Sequence, residues 1–200
     1  MRQAPDSTVL MVSSSVPPQV GGIASMANVV CATLLKLRDR PALHLLCRPG
    51  TGAGLADAVH DRLIWRRWGV TTVPIQRRNA AFFAELVRRY RYDLVIFLDA
   101  AARLYGLRRA PQTETAVYVH GHELLLPSPT GELLSRQLTL QIRALRRAQR
   151  VLVNSRASGE LMRRRVPDVQ YRVLYPCYDP ARIYDPARHA ARPYREPSRS

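Results

Sequence analysis

Residues 8–47 read TVLMVSSSVPPQVGGIASMANVVCATLLKLRDRPALHLLC, and this stretch decides the fold. It opens on a short apolar run, 8–13 (TVLMVS), rich in β-branched residues and without polar alternation. A strand covered on one face alternates apolar and polar residues, so an unbroken run predicts a strand buried on both faces. A loop follows over 14–22 with Pro17, Pro18, Gly21 and Gly22, residues that interrupt regular structure and permit tight turns. Then Ile23, Met26, Ala27, Val30, Leu34 and Leu37 recur at helical spacing, which puts them on one face of a helix. The stretch closes on a second apolar run, 42–47 (ALHLLC), ahead of a loop with Gly50, Gly52 and Gly54. Strand, glycine loop, helix, strand is a βαβ unit, and such units build parallel sheets.

Further along the chain the alternation continues. Residues 79–90 predict a helix with Phe82, Phe83, Leu86 and Val87 inward. Arg88 and Arg89 end it, where cations complement the helix dipole. The runs 93–98 (DLVIFL) and 115–119 (TAVYV) predict strands, and 131–148 a long helix apolar at Leu134, Leu138, Ile142 and Leu145. A strand at 151–153 (VLV) leads directly into Asn154-Ser155, and Ser155 is placed to cap a helix over 156–165. The last strand is expected at 171–175 (YRVLY). Within 55–78, LIWRRW and TTVPI fit one strand or two. The expected fold is therefore α/β, a Rossmann-like doubly wound parallel sheet forming a single domain over 1–184. The Pro-, Arg- and Ser-rich end, 185–200, holds too little apolar surface to offset its chain entropy and is expected to be a disordered tail.

Composition narrows the function classes. The 200 residues are 46% hydrophobic, enough to bury a core. Apolar runs fall far short of the ~20 residues a membrane-spanning helix needs. The first residues carry one early Arg, an Asp and a short apolar run, so no secretory signal is expected. Cys31, Cys47 and Cys177 are scattered, without CxxC spacing, and read as reduced thiols instead of a disulfide frame or zinc site. A cytoplasmic place, peripheral at the inner membrane face, is the expected localisation. The net charge of +16 attracts phosphorylated substrates, anionic lipid or nucleic acid. Nucleic acid ranks last, because no recognition motif accompanies the charge. Arginine clusters at 66/67 between Trp65 and Trp68, at 108/109 and at 163–165 supply much of it. Arg143, Arg147 and Arg150, beside the apolar stripe of the long helix, join Trp65 and Trp68 as a candidate seat on an anionic membrane.

Two segments carry candidate chemistry. In a doubly wound sheet, ligands bind at the carboxyl ends of the strands. The loop at 13–22 lies there. Its adjacent Gly21 and Gly22 let backbone N–H groups approach a ligand, and the following helix start favours a phosphate. Val119-His120-Gly121-His122-Glu123 follows the strand TAVYV at the same edge. His120 can donate to or accept from a sugar hydroxyl. A metal site of His120, His122 and Glu123 is set aside: alternate residues converge on one ion only in an extended segment, and no distant Cys or Asp completes the set. Asn154 and Ser155 either line the same cleft or simply cap a helix.

Taken in register, TVLMVSSSVPPQVGGIASMANVVCATL, YVHGHELL, VLVNSRASGELMRR and YRVLYPCYDPARIY resemble the N-terminal domain of family-4, GT-B-type retaining glycosyltransferases. The resemblance covers roughly 8–184. It implies an acceptor-binding, Rossmann-like half facing a second domain that grips a nucleotide-diphosphate sugar, the co-substrate, with no further cofactor. Gly21 and Gly22 would face the donor phosphates or the reacting centre. His120 would contact the transferred sugar as the catalytic residue, while His122, Glu123, Asn154 and Ser155 would shape the acceptor side. The implied partners are a glycan or lipid-linked acceptor and a separate donor-binding domain, because the family's donor half has no counterpart after residue 185. Where the family ends Pro-Asn-Gly-Val-Asp, this chain has Pro176-Cys177-Tyr178-Asp179. The alternative is a non-catalytic module that binds a glycan acceptor or anionic lipid.

Overall fold

The structure, a computed structural model, describes residues 7–60, 73–99, 113–121, 124 and 132–176, with the backbone alone at 73–76 and 132–137. Eleven elements follow one another: β1 (Thr8–Val12), α1 (Gly22–Leu34), β2 (Ala42–Leu46), β3 (Ala58–His60), α2 (Val73–Tyr90), β4 (Leu94–Phe97), β5 (Glu114–Val119), α3 (Glu132–Arg147), β6 (Arg150–Val153), α4 (Arg156–Arg165) and β7 (Arg172–Val173). The strands form one sheet in the order β3-β2-β1-β4-β5-β6-β7. Every pairing is parallel. The chain winds outward from β1 through β2 to β3, then crosses back to β4 and winds the other way. The switch point therefore lies between β1 and β4, where such sheets open a crevice.

The uninterrupted apolar strands find cover on both faces. Leu10 and Val12 join Val95, Phe97, Val117, Val119, Val151 and Val153 on one face, under Phe83 and Leu86 of α2, Leu145 of α3 and Met162 of α4. Val9 and Met11 join Leu43, Leu45 and Tyr118 on the other, under Met26, Ala27 and Cys31 of α1. The period-two side-chain alternation of a strand splits one apolar run between two cores. This is why β1 shows no polar alternation. Cys31 and Cys47 are free and buried thiols. Burial pushes Cys31 up to about 12, so it stays a protonated packing group.

Four expectations are corrected. Helix α1 stops at Leu34; Leu37 falls in the following turn and stands 49% exposed instead of continuing the apolar face. Of the segment TTVPI, Val73–Ile75 open α2 instead of a strand, and Pro74 in the first turn gives up an N–H that has no helical partner anyway. Arg150 is the first residue of β6, not part of the long helix, and pairs with Glu114 at the start of β5. The last strand is trimmed to Arg172–Val173 at the sheet's edge. Trp65, Trp68, the 66/67 and 108/109 arginines, Cys177 and the expected tail lie outside the described residues, so LIWRRW remains an expectation. Among the described residues, no helix is long and apolar enough to cross a membrane.

Candidate functional site

Because every strand is parallel, the loops after β1, β4, β5 and β6 all emerge at one edge. Strands β1 and β5 flank β4, so their ends lie about 10 Å apart at the usual strand spacing. The 13–21 loop and His120 thus share one rim, with the corner after β4 between them.

That corner, Leu98-Asp99, holds both neighbours. Asp99 is 2% exposed. One of its carboxylate oxygens, Oδ2, accepts the Ser14 backbone N–H at 2.6 Å, the Ser14 hydroxyl at 2.7 Å and the Ser13 hydroxyl at 3.2 Å. A buried carboxylate needs such donors, and here they come from the root of the β1 loop. On the other side, the Leu98 carbonyl accepts from His120 Nε2 at 2.8 Å. A carbonyl only accepts, so Nε2 carries the hydrogen and Nδ1 is the acceptor in the neutral ring. The ring is half-buried and meets Tyr118 edge-on, 5.0 Å between centroids.

Further anchors tighten each wall. Val16 is buried in the α1-side core, and the Gly52 N–H donates to the Pro17 carbonyl at 2.8 Å, tying the β1 loop to the loop after β2. Past these anchors the loop surfaces, with Val20, Gly21 and Gly22 exposed. Gly21 has φ +146°, a conformation that favours glycine. Gly22 is the first residue of α1, and a Cβ there or at Gly21 would meet nothing within 4 Å. The first turn of α1 carries no acidic residue and no side-chain cap. Its N–H groups are therefore neither capped by a side chain nor neutralised by an acidic residue of the turn, the arrangement that suits an anion.

Behind His120 stands the start of α4. Asn154 Nδ2 donates to the His120 carbonyl at 3.0 Å, and the Ser158 hydroxyl donates to Asn154 Oδ1 at 2.6 Å. Ser155 caps α4, its hydroxyl oxygen accepting the Ser158 N–H at 3.1 Å. Gly121 has φ +97°, and a Cβ on it would lie 2.6 Å from Ser158 Oγ. Asn154 and Ser155, placed by sequence on the acceptor side, are thus engaged in holding the β5 corner and the helix start. His122 and Glu123 lie outside the described residues. Sequence reasoning missed Asp99, Leu98, Gly121 and Ser158. Asp99 had a legible signal, a lone acid ending an uncharged apolar strand; Leu98 acts through its backbone and had none.

The family model described as Glycosyltransferase Family 4 matches residues 20–182. Among solved structures, sucrose-phosphate synthase from Thermosynechococcus elongatus superposes with a TM-score of 0.56 at 14% identity, over 84% of this chain and 48% of that one. Anabaena HepE in complex with UDP gives 0.54 at 18% identity, over 86% and 44%. The apo lipopolysaccharide outer core galactosyltransferase WaaB gives 0.51 at 13%, over 79% and 42%. This chain therefore spans less than half the length of these structures. At such identities the likeness establishes the fold alone. No curated protein matches the chain.

Proposed function

The chain belongs to glycosyltransferase family 4, and from that premise we propose that it is the acceptor-side half of a retaining, GT-B-type sugar transferase. The observation that carries the reading is the shared rim: Asp99 holds Ser14 at the root of the loop that leads to the diglycine start of α1, and the adjacent Leu98 holds His120 of the β5 corner. In this reading Gly21 and Gly22 approach the phosphates of a nucleotide-diphosphate sugar, a co-substrate class in keeping with the UDP bound to HepE. His120 contacts a hydroxyl of the transferred sugar and is the catalytic residue. His122 and Glu123 are assigned to the acceptor, a glycan or lipid-linked sugar, and Asn154 and Ser155 support the His120 corner from behind. A departing diphosphate needs positive charge positioned where negative charge develops, which we assign to a separate donor-binding domain. The place of action is the cytoplasm, at the inner membrane face.

The test pairs the chain with a donor-binding half and measures sugar transfer. Replacing His120 with Ala is expected to lower turnover by about 100-fold or more, the usual scale for a catalytic acid–base or hydroxyl contact. Unchanged turnover removes His120 from the reaction. The isolated chain is expected to turn over little or nothing, and efficient transfer without a donor-binding domain overturns that assignment. The charge of +16 favours a second reading, a non-catalytic module for a glycan or anionic lipid. In that case the His120 variant binds its ligand as the parent does and no partner restores transfer.

A further inference from the structure

We infer that the amino edge of the sheet, opposite the diglycine rim, is a docking face for an anionic lipid bilayer. In a parallel α/β sheet each crossover helix starts at the carboxyl edge and ends at the amino edge, so all four helix ends collect there. The last turns hold Arg88 and Arg89 in α2, Arg146 and Arg147 in α3, and Arg163, Arg164 and Arg165 in α4. All are exposed. Ion pairs to acidic residues at this edge join Arg40 to Asp57, Arg146 to Asp168 and Arg150 to Glu114. The helix dipole favours a cation at each end, but three consecutive arginines repel one another, so a row of this density is not what stability alone selects. The helices that carry the row lie side by side on the face formed by β1, β4, β5 and β6.

What distinguishes a bilayer from a phosphate backbone is Leu37. Helix α1 runs out at this same edge, and Leu37 stands 49% exposed between Lys36 and Arg38, themselves exposed. An apolar side chain set among cations inserts at a lipid interface and gains nothing against RNA. The 13 residues of α1, which begins at Gly22, span about 20 Å, and so do the 6 residues of β5 that lead to His120. A chain docked by its amino edge therefore holds Gly22 and His120 roughly that far above the headgroups, facing away. The docking face does not depend on the sugar-transfer reading. One consequence does: an acceptor at that rim is a soluble or extended glycan, not a headgroup in the plane of the same bilayer.

The experiment is co-sedimentation of the full chain with phosphatidylcholine vesicles, with and without phosphatidylserine. Two variants of equal charge change are compared: Arg164→Gln with Arg165→Gln at the amino edge, and Arg77→Gln with Arg78→Gln near the start of α2. Binding is expected only to the anionic vesicles. At the usual strength of a basic residue at an anionic surface, the edge pair should weaken it roughly 30-fold, and the control pair only several-fold. Leu37→Ser should weaken vesicle binding and leave retention on single-stranded RNA unchanged. Absence of binding to anionic vesicles, equal binding to neutral ones, or equal losses in the two pairs overturns the inference. Displacement of the chain from vesicles by RNA at equal phosphate concentration reassigns the edge to nucleic acid. His120→Ala is expected to leave vesicle binding untouched, so the two readings fail separately.

Discussion

At Gly121 and Gly22 the same substitution has opposite consequences. Gly121 sits at φ +97° with Ser158 Oγ 2.6 Å from where a Cβ would be. Gly121→Ala should therefore cost about 2 kcal/mol, from backbone strain and the displaced serine together. Gly22 begins a helix in open space, so Gly22→Ala should leave stability unchanged or raise it by a few tenths of a kcal/mol. Urea denaturation of the two variants measures both, and equal losses would refute the assignment of open space at the α1 start. A second residue-level effect concerns pH. His44 lies on β2 with the Tyr92 hydroxyl 2.7 Å from Nδ1, His60 Nε2 at 3.4 Å from the same atom and the Tyr90 ring edge-on at 4.7 Å. Burial holds its imidazole below the ordinary value near 6.5, against the opposing pull of Asp57. The folded state thus binds the proton less readily than the unfolded chain. The stability this represents is present above 6.5 and is lost as pH falls through the lowered folded value. A His44→Gln variant lacks that loss. The stability gap between wild type and variant should narrow between pH 7.5 and pH 5 in urea titrations, and a gap independent of pH would count against it.

At the scale of elements, the corner after β4 is the joint of the candidate site. Asp99→Ala removes the acceptor for three donors and leaves the half-buried Ser14 N–H without this partner. That should cost about 3 kcal/mol, and Asp99→Asn about 1, since an amide oxygen can still accept the backbone hydrogen bond. Calorimetric melts give the ranking; an Asn variant as damaged as Ala would place the importance in charge instead. This joint also marks where the sequence stopped being legible. Strand β1, helix α4 and the cap at Ser155 follow from patterns a few residues long, so local reading found them. The shared rim of Gly22 and His120 was legible too, because parallel order alone puts both at the carboxyl edge. Strand β3, three residues against one neighbour, has no pattern strong enough to read. The start of α2 was obscured by β-branched residues and Pro74, which suggest a strand or a break until the first-turn exemption for proline is considered. Asp99 was visible as a lone acid at a strand's end, but its role depends on a partner 85 residues away, and contacts at that range are not written in the local pattern.

Considered whole, the molecule is polarised along its strands: one edge holds the loops of the candidate site, the other gathers arginines at the ends of α2, α3 and α4. A net charge of +16 on 200 residues makes the folded state repel itself, because folding brings cations closer than they stand in the unfolded chain. Arg40, Arg146 and Arg150 pair with Asp57, Asp168 and Glu114, and exposed pairs of this kind contribute little individually. Screening should therefore stabilise the fold. Between about 10 mM and 150 mM monovalent salt the screening length falls from about 30 Å to about 8 Å, shorter than the spacing between successive helix ends across the row. Thermal melts of the full chain are expected to rise by a few degrees over that range. The increase should be smaller in the Arg164→Gln, Arg165→Gln double variant, which starts with less repulsion to relieve. Melting temperatures that fall with added salt would mean that attractive pairs outweigh repulsion along the amino edge, and the row of arginines would then be held by its partners and not left available to an anionic surface.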